Sequence, residues 1–260
     1  MSKLQIQYSK EIAKELGKIA VYFPGEHIEV GDIIRFPFGK SLFGKSKPLG
    51  TFQKITSLKK IGIQYDEPQF SNSPDTYRFT SKNAIEFKSD IETNLSLGTG
   101  NLPNAKSALS IEFSSEGAIY FLAIDCDKKE LNDLLALEKE INVRGKKMLW
   151  YDTYLVTSVT IAKKALILQS RSKSSGIVIE GDIQGINSGN VNITNNATVN
   201  LKNQKGDVFM KNWSDDVTVF MDVVKFEKEV FGVESYRNAS KKEGFKIHIK
   251  KVTIEEVLED

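Results

Sequence analysis

The sequence predicts an α+β fold, a twisted and largely antiparallel sheet with long amphipathic hairpins and a few short helices. Three observations carry this. Two long stretches alternate apolar and polar residues with a period of two, which gives a ribbon one greasy and one wet face. One strong helical stripe lies between them. The regular strand-helix alternation of a parallel nucleotide-binding sheet is absent.

Residues 4–16 read as a short helix, with Ile6, Ile12, Ala13 and Leu16 on one face and Gly17 as its stop. Residues 18–23 and 28–38 read as strands, the first ended by the Pro24-Gly25 turn signal. From Asn83 the period becomes two. Ile85, Phe87, Ile91, Leu95 and Leu97 fall on odd positions, and Glu86, Lys88, Asp90 and Glu92 on even ones. After a Gly/Asn/Pro turn the alternation returns in the same sense through Leu109, Ile111 and Phe113. The run 118–124 is apolar throughout and reads as a strand buried on both faces. Residues 127–143 carry the helical stripe (Leu131, Leu134, Leu135, Leu137, Ile141), with Asp127 as its cap. Residues 149–168 are strand-like again.

A second alternating region follows, with Ile177, Ile179, Ile183, Val191, Ile193, Ala197, Val199 and Leu201 odd and Asn, Thr, Gln and Glu even. Residues 219–231 read as a helix, Phe245, Ile247 and Ile249 as a short strand, and the chain closes on an acidic end. The organisation expected is one α+β domain over residues 1–212. Residues 213–260 would be a regulatory tail or part of the same domain.

Composition narrows the function. The 260 residues are 40% hydrophobic and 27% charged, and 36 Lys+Arg against 34 Asp+Glu leave a net charge of +2. That balance lacks the clustered positive excess used to hold nucleic acid, so none is expected as a partner. One cysteine excludes an internal disulfide framework, and two histidines leave little material for a metal centre or a hydrolase triad. The N-terminal start has no apolar core of signal-peptide length and no apolar run reaches membrane-helix length, so a cytoplasmic resting state is expected.

Chemical motifs are sparse. Gly39-Lys-Ser-Leu-Phe-Gly-Lys45-Ser46 satisfies the phosphate-loop pattern, in which backbone amides cradle phosphates and the Lys and Ser complete the site. The helix that must follow is blocked by Pro48 and Gly50. Cys126 lies between Asp125 and Asp127, whose charges raise a thiol pKa rather than activate it. His27 sits in a turn-like stretch, and His248 on the polar side of an alternating strand. No catalytic residue, metal ligand or cofactor is assigned, and the chain is not read as an enzyme.

The two hairpins remain. Alternation of this kind is ordinary in a soluble antiparallel sheet with one packed face. Each arm, however, reaches the roughly 9–11 residues that a tilted strand needs to cross a bilayer. The layout resembles the pore-forming domain of gasdermins: a short N-terminal helix, a strand, an amphipathic hairpin, a core strand, a helix and a second hairpin. Tyr154-Leu-Val-Thr-Ser-Val159 is similar to a Tyr-Val-Val-Thr-Glu-Ala/Val stretch of animal gasdermins, and Leu109-Ser-Ile-Glu-Phe113 to their Leu-Glu-Phe-type strand. The likeness spans residues 4–205 as layout. Neither the long repressor domain of animal members nor the N-terminal cysteine lipidated in bacterial ones is matched in these 260 residues, so autoinhibition by a long second domain is not expected.

The resemblance implies a latent pore-former. Ile85, Phe87, Ile91, Leu95, Leu97, Leu109, Ile111, Phe113, Ile177, Ile179, Ile183, Val191, Ile193, Val199 and Leu201 would face lipid. Lys10, Lys14, Lys18, Lys40, Lys45 and Lys47 would meet anionic headgroups. The partners expected are membrane lipids after activation, further copies of the chain in the pore, and an activating protease. Two other readings stand beside it: a soluble β-rich protein-interaction module, and a nucleotide-binding regulator using Lys45 and Ser46.

Overall fold

The computed structural model describes residues 2–37, 39, 46–82, 84–89, 107–144, 152–181, 199–228 and 247–259. In chain order the elements are α1 (Ser2–Leu16), β1 (Ile19–Ala20), β2 (Asp32–Arg35), β3 (Gln53–Ser57), β4 (Asp75–Thr80), β5 (Ile85–Ser89), β6 (Ser107–Phe113) and β7 (Ile119–Glu130). They continue as α2 (Leu134–Arg144), β8 (Tyr154–Ser170), β9 (Ser175–Gly181), β10 (Val199–Lys205), β11 (Val208–Lys228), β12 (Ile247–Lys251) and α3 (Ile254–Leu258). The fold class is α+β, and every strand pairing with a described register is antiparallel. One sheet runs β1-β11-β8-β2-β3, with β12 also on β11 and with β7 pairing β8 and β4. A second sheet runs β10-β9-β6-β5. The chain divides into one compact unit of residues 1–75, 126–162 and 217–260 and another of residues 76–125 and 163–216.

In the first unit α1 buries Tyr8, Ile12 and Ala13, and Gly17 ends it in the left-handed conformation at φ 63°. Ala13 belongs to a core with Val21, Ile34, Phe36, Val156, Val223 and the C-terminal Val252 and Val257. A second cluster packs Leu137 and Ile141 of α2 against Ile33, Leu58, Leu155, Val224 and Ile247. The expected strand over residues 28–38 shortens to β2, because Gly31 (φ 88°) turns the chain where a Cβ would run into the Tyr65 hydroxyl.

Two other expectations are corrected. Residues 127–130 extend β7 instead of opening a helix; α2 starts at Leu134, where Asp133 Oδ1 accepts from the Ala136 N–H at 2.8 Å as the true cap. Residues 219–228 lie in β11, because the run Val217–Val224 is β-branched and aromatic and is buried between neighbouring strands. Residue 212 therefore lies inside a strand. The acidic end holds a helix, α3, in which the Thr253 hydroxyl accepts from the Glu256 N–H at 3.3 Å. Thr253-Ile-Glu-Glu256 is the capping-box pattern, so this helix was readable in the sequence.

The phosphate-loop pattern has no phosphate-loop structure at its described end. Ser46 is buried; its hydroxyl and N–H both donate to Asp152 Oδ1, at 2.5 and 3.0 Å, and its carbonyl accepts from the Tyr154 hydroxyl. The Lys47 N–H donates to the Gly39 carbonyl at 2.7 Å, closing the loop at its base. A serine spent on a neighbouring carboxylate has no hydroxyl left for a metal. No helix follows it.

Candidate functional site: the two-hairpin sheet

The second unit holds the alternating segments in one four-stranded sheet. β5 and β6 form the first hairpin's described part, with Ile85 opposite Phe113, Phe87 opposite Ile111 and Ser89 opposite Leu109. β9 and β10 form the second, with Leu201 opposite Ile179 and Val199 opposite Gly181. The hairpins are joined through β6 and β9, which set Leu109 opposite Ile179 and Ile111 opposite Ile177. Residues opposite one another in an antiparallel pair lie on the same side of the sheet. By register, the odd positions of the described strands thus share one face in continuous rows, such as Phe87–Ile111–Ile177 and Leu109–Ile179–Leu201. A slip of one residue at any of the three pairings would scatter the rows over both faces.

That face is packed. Ile111, Phe113, Ile177 and Ile179 are fully buried against Tyr120, Leu122, Leu166 and Leu168 of β7 and β8, with Ile85 and Phe87 half-buried at the margin. Phe87 meets Tyr120 edge-on at 5.7 Å between ring centroids. Burial pushes the Tyr120 phenol up to about 12, so it stays protonated and neutral in the core. Each of the four buried side chains contributes about 1.5–3 kcal/mol relative to water. Hydrocarbon would return much the same energy, so only exchange for water is costly.

The other face is charged. Glu86 and Glu112 stand directly opposite one another, and Lys88 lies 4.0 Å from the first carboxylate and 2.9 Å from the second. The Glu112 hydrogen bond raises the Lys88 pKa, which keeps the bridging cation charged. Two turns lace the base of the sheet together. The Arg171 N–H donates to the Asp207 carbonyl at 2.8 Å, and the Asp207 N–H donates to Ser172 Oγ at 3.0 Å. Gly206 (φ 68°) makes this stack possible, since a Cβ there would come within 2.6 Å of Ser172 Oγ.

Of the other sequence-predicted positions, Leu109, Val199 and Leu201 are placed by strand register. Ile91, Leu95, Leu97, Ile183, Val191 and Ile193 lie outside the described residues. Among the lysines, Lys14 is exposed on α1, Lys10 is half-buried there, and Lys18 and Lys47 are half-buried beyond it; Lys40 and Lys45 lie outside the described residues.

Sequence reasoning missed how firmly the C-terminal segment is fastened within the first unit. β12 pairs with β11 from Ile247↔Lys228 to Lys251↔Val224. Glu256 Oε2 accepts from Lys225 Nζ at 2.8 Å, and its Oε1 lies 3.6 Å from Lys250 Nζ. His248, expected on a free polar face, meets Glu138 of α2 at 3.2 Å. Missed as well were Asp125 and Asp216, both left-handed at φ 51° inside long strands. Each is the last residue before the chain passes from the second unit to the first. An aspartate closing the apolar run 118–124 is the sequence signal for Asp125, whereas Asp216 follows the polar stretch Ser214-Asp215 and has no such signal.

Among the described residues, no helix is long and apolar enough to cross a membrane. No family model and no curated protein matches the sequence. Among solved structures the chain resembles two gasdermins. It is 8% identical to the gasdermin A3 membrane pore, covering 94% of this chain and 93% of that one at a TM-score of 0.33. It is 15% identical to a bacterial gasdermin from Bradyrhizobium tropiciagri, covering 84% and 86% at a TM-score of 0.32.

Proposed function

We propose that the chain is a latent pore-forming effector whose hairpins, about residues 83–115 and 177–202, insert and oligomerise after activation. The observation that carries this reading is the shared register. Two hairpins distant in sequence lie side by side, and the odd positions of their described strands share one face. In sequence the same alternation continues beyond the described strands on both hairpins, through Ile91–Leu97 and Ile183–Ile193. A lipid-crossing strand needs this pattern, apolar toward the bilayer and polar toward a lumen.

In the resting, cytoplasmic form the apolar face stays on β7 and β8. On activation it trades that cover for hydrocarbon. β5 and β10 are the outer strands of the sheet, and pairing them with neighbouring copies satisfies the backbone groups that lipid would leave bare. Lys10, Lys14, Lys18, Lys40, Lys45 and Lys47 draw the chain to anionic lipid. Proteolysis between β11 and β12, in the run that contains Arg237, Lys241 and Lys242, is the proposed trigger.

The soluble-module reading draws on the same core: an apolar face fully covered by β7 and β8 has no need of a membrane. Dye release decides between them. A specific protease site introduced between Lys228 and Ile247 allows the intact folded chain to be cut in place. Cut protein is expected to empty anionic liposomes and uncut protein to leave them sealed. Liposomes that stay sealed with both, while both remain folded, would favour the soluble module.

A further inference from the structure

The first unit carries a cleft of about 760 Å³ between the segment Lys59–Asp66 and the N-terminal half of α2. Its floor is apolar, formed by the buried Ile63 and Leu137 with Leu131 and Ala136 beside them. Its rim is acidic, with the exposed carboxylates of Asp66 and Asp133. The one cation among the lining residues, Lys59, is already held by Glu67 Oε2 at 2.8 Å. A groove with an apolar floor and a negative rim suits lysine and arginine side chains, whose methylene stems lie on the floor while their charged heads reach the carboxylates. It repels phosphates and carboxylates.

The same chain contains a segment of matching chemistry. From the last residue of α2 the sequence runs Arg144-Gly-Lys-Lys-Met-Leu149, three cations and a glycine followed by two apolar residues. We infer that this cleft is a docking groove for the 144–149 run of a second copy of the chain. One copy's acidic groove would take the next copy's basic run, a head-to-tail contact that leaves a free groove and a free run at the ends. Such contacts build rings or filaments. The inference uses the first unit alone and needs no lipid, so it stands or falls separately from membrane insertion.

A labelled peptide of sequence Arg-Gly-Lys-Lys-Met-Leu, titrated into the intact chain without lipid, is expected to bind in a salt-sensitive way. Asp66→Lys, an exposed change, is expected to weaken it about three- to tenfold. Charge exchange supplies the second arm. Sedimentation is expected to show concentration-dependent self-association of the parent, and a Gln64→Lys/Asp66→Lys chain and a Lys146→Glu/Lys147→Glu chain should each lose it. Mixed together, they should associate again, a rescue that simple misfolding would not give. A peptide that fails to bind, binding indifferent to salt and to Asp66→Lys, or folded variants that do not associate on mixing would each overturn the assignment.

Discussion

The side-chain amide of Asn142 grips Ile247 at both of its backbone groups. Its Nδ2 donates to the Ile247 carbonyl at 2.7 Å, and its Oδ1 accepts from the Ile247 N–H at 2.8 Å. One turn earlier on α2, Glu138 Oε2 accepts from the Ile249 N–H at 3.0 Å. Among the described residues β12 pairs with β11 alone, and two side chains spaced i, i+4 take the place of a second strand. They satisfy backbone groups that would otherwise invite another strand.

Removing that grip loosens the C-terminal segment. Asn142→Ala is expected to cost about 1–3 kcal/mol, since both hydrogen bonds to Ile247 vanish with a third, from Nδ2 to the Glu138 carbonyl at 2.8 Å, and the Ile247 backbone groups are stranded. Urea unfolding reads the total, and hydrogen exchange at Ile247 should rise before exchange in β8 does.

Tyr8 makes the opposite prediction. Its ring is buried 5.2 Å edge-on from Tyr22, while its hydroxyl has no hydrogen-bond partner among the described residues. Burial pushes the phenol far above its ordinary pKa, so it remains a neutral, desolvated hydroxyl. Tyr8→Phe keeps the packing and deletes the stranded group. A gain of about 1 kcal/mol in urea unfolding is expected.

Asp216 tests the left-handed kinks. The conformation at φ 51° favours glycine, and the Asp216 side chain is exposed, so little else rides on it. Asp216→Gly is expected to stabilise by about 0.5–1 kcal/mol, and Asp216→Val to destabilise by about 1–3 kcal/mol. Equal effects of the two substitutions on the urea midpoint would rule out a strained kink.

Acid should loosen α3. The hydrogen bond from Lys225 Nζ holds the Glu256 carboxyl below its ordinary pKa despite partial burial. A carboxylate lowered in the folded state adds stability above its unfolded pKa, and that stability fades as pH falls through the folded value. Exchange of the α3 amides should therefore accelerate in acid in the parent chain. The Glu256→Gln variant should start faster at neutral pH and change less.

Much of this fold was legible because strand periodicity survives in sequence. Ile85–Phe87, Leu109–Phe113 and Ile177–Ile179 alternate, and they pair as alternation demands. Residues 219–228 misled for a physical reason. A strand buried on both faces loses its period of two, and Val-Phe-Met-Asp-Val-Val then satisfies a helical stripe equally well. Asp127 looked like a helix cap because β7 runs six residues past its apolar core. Pairings such as β6 with β9, and Asn142 with Ile247, join residues more than sixty positions apart, and no local pattern announces them.

The central claim is that the odd positions of the hairpins enter lipid and the even ones do not. Cys126, the lone cysteine, can be replaced, and single cysteines can then be placed at residues 91 to 95 and 191 to 194 for an environment-sensitive label. After cleavage with anionic liposomes present, labels at 91, 93, 95, 191 and 193 should brighten and shift to the blue. Labels at 92, 94, 192 and 194 should stay in a wet environment. The same response at both parities, or none at either while the protein remains folded, would contradict the account.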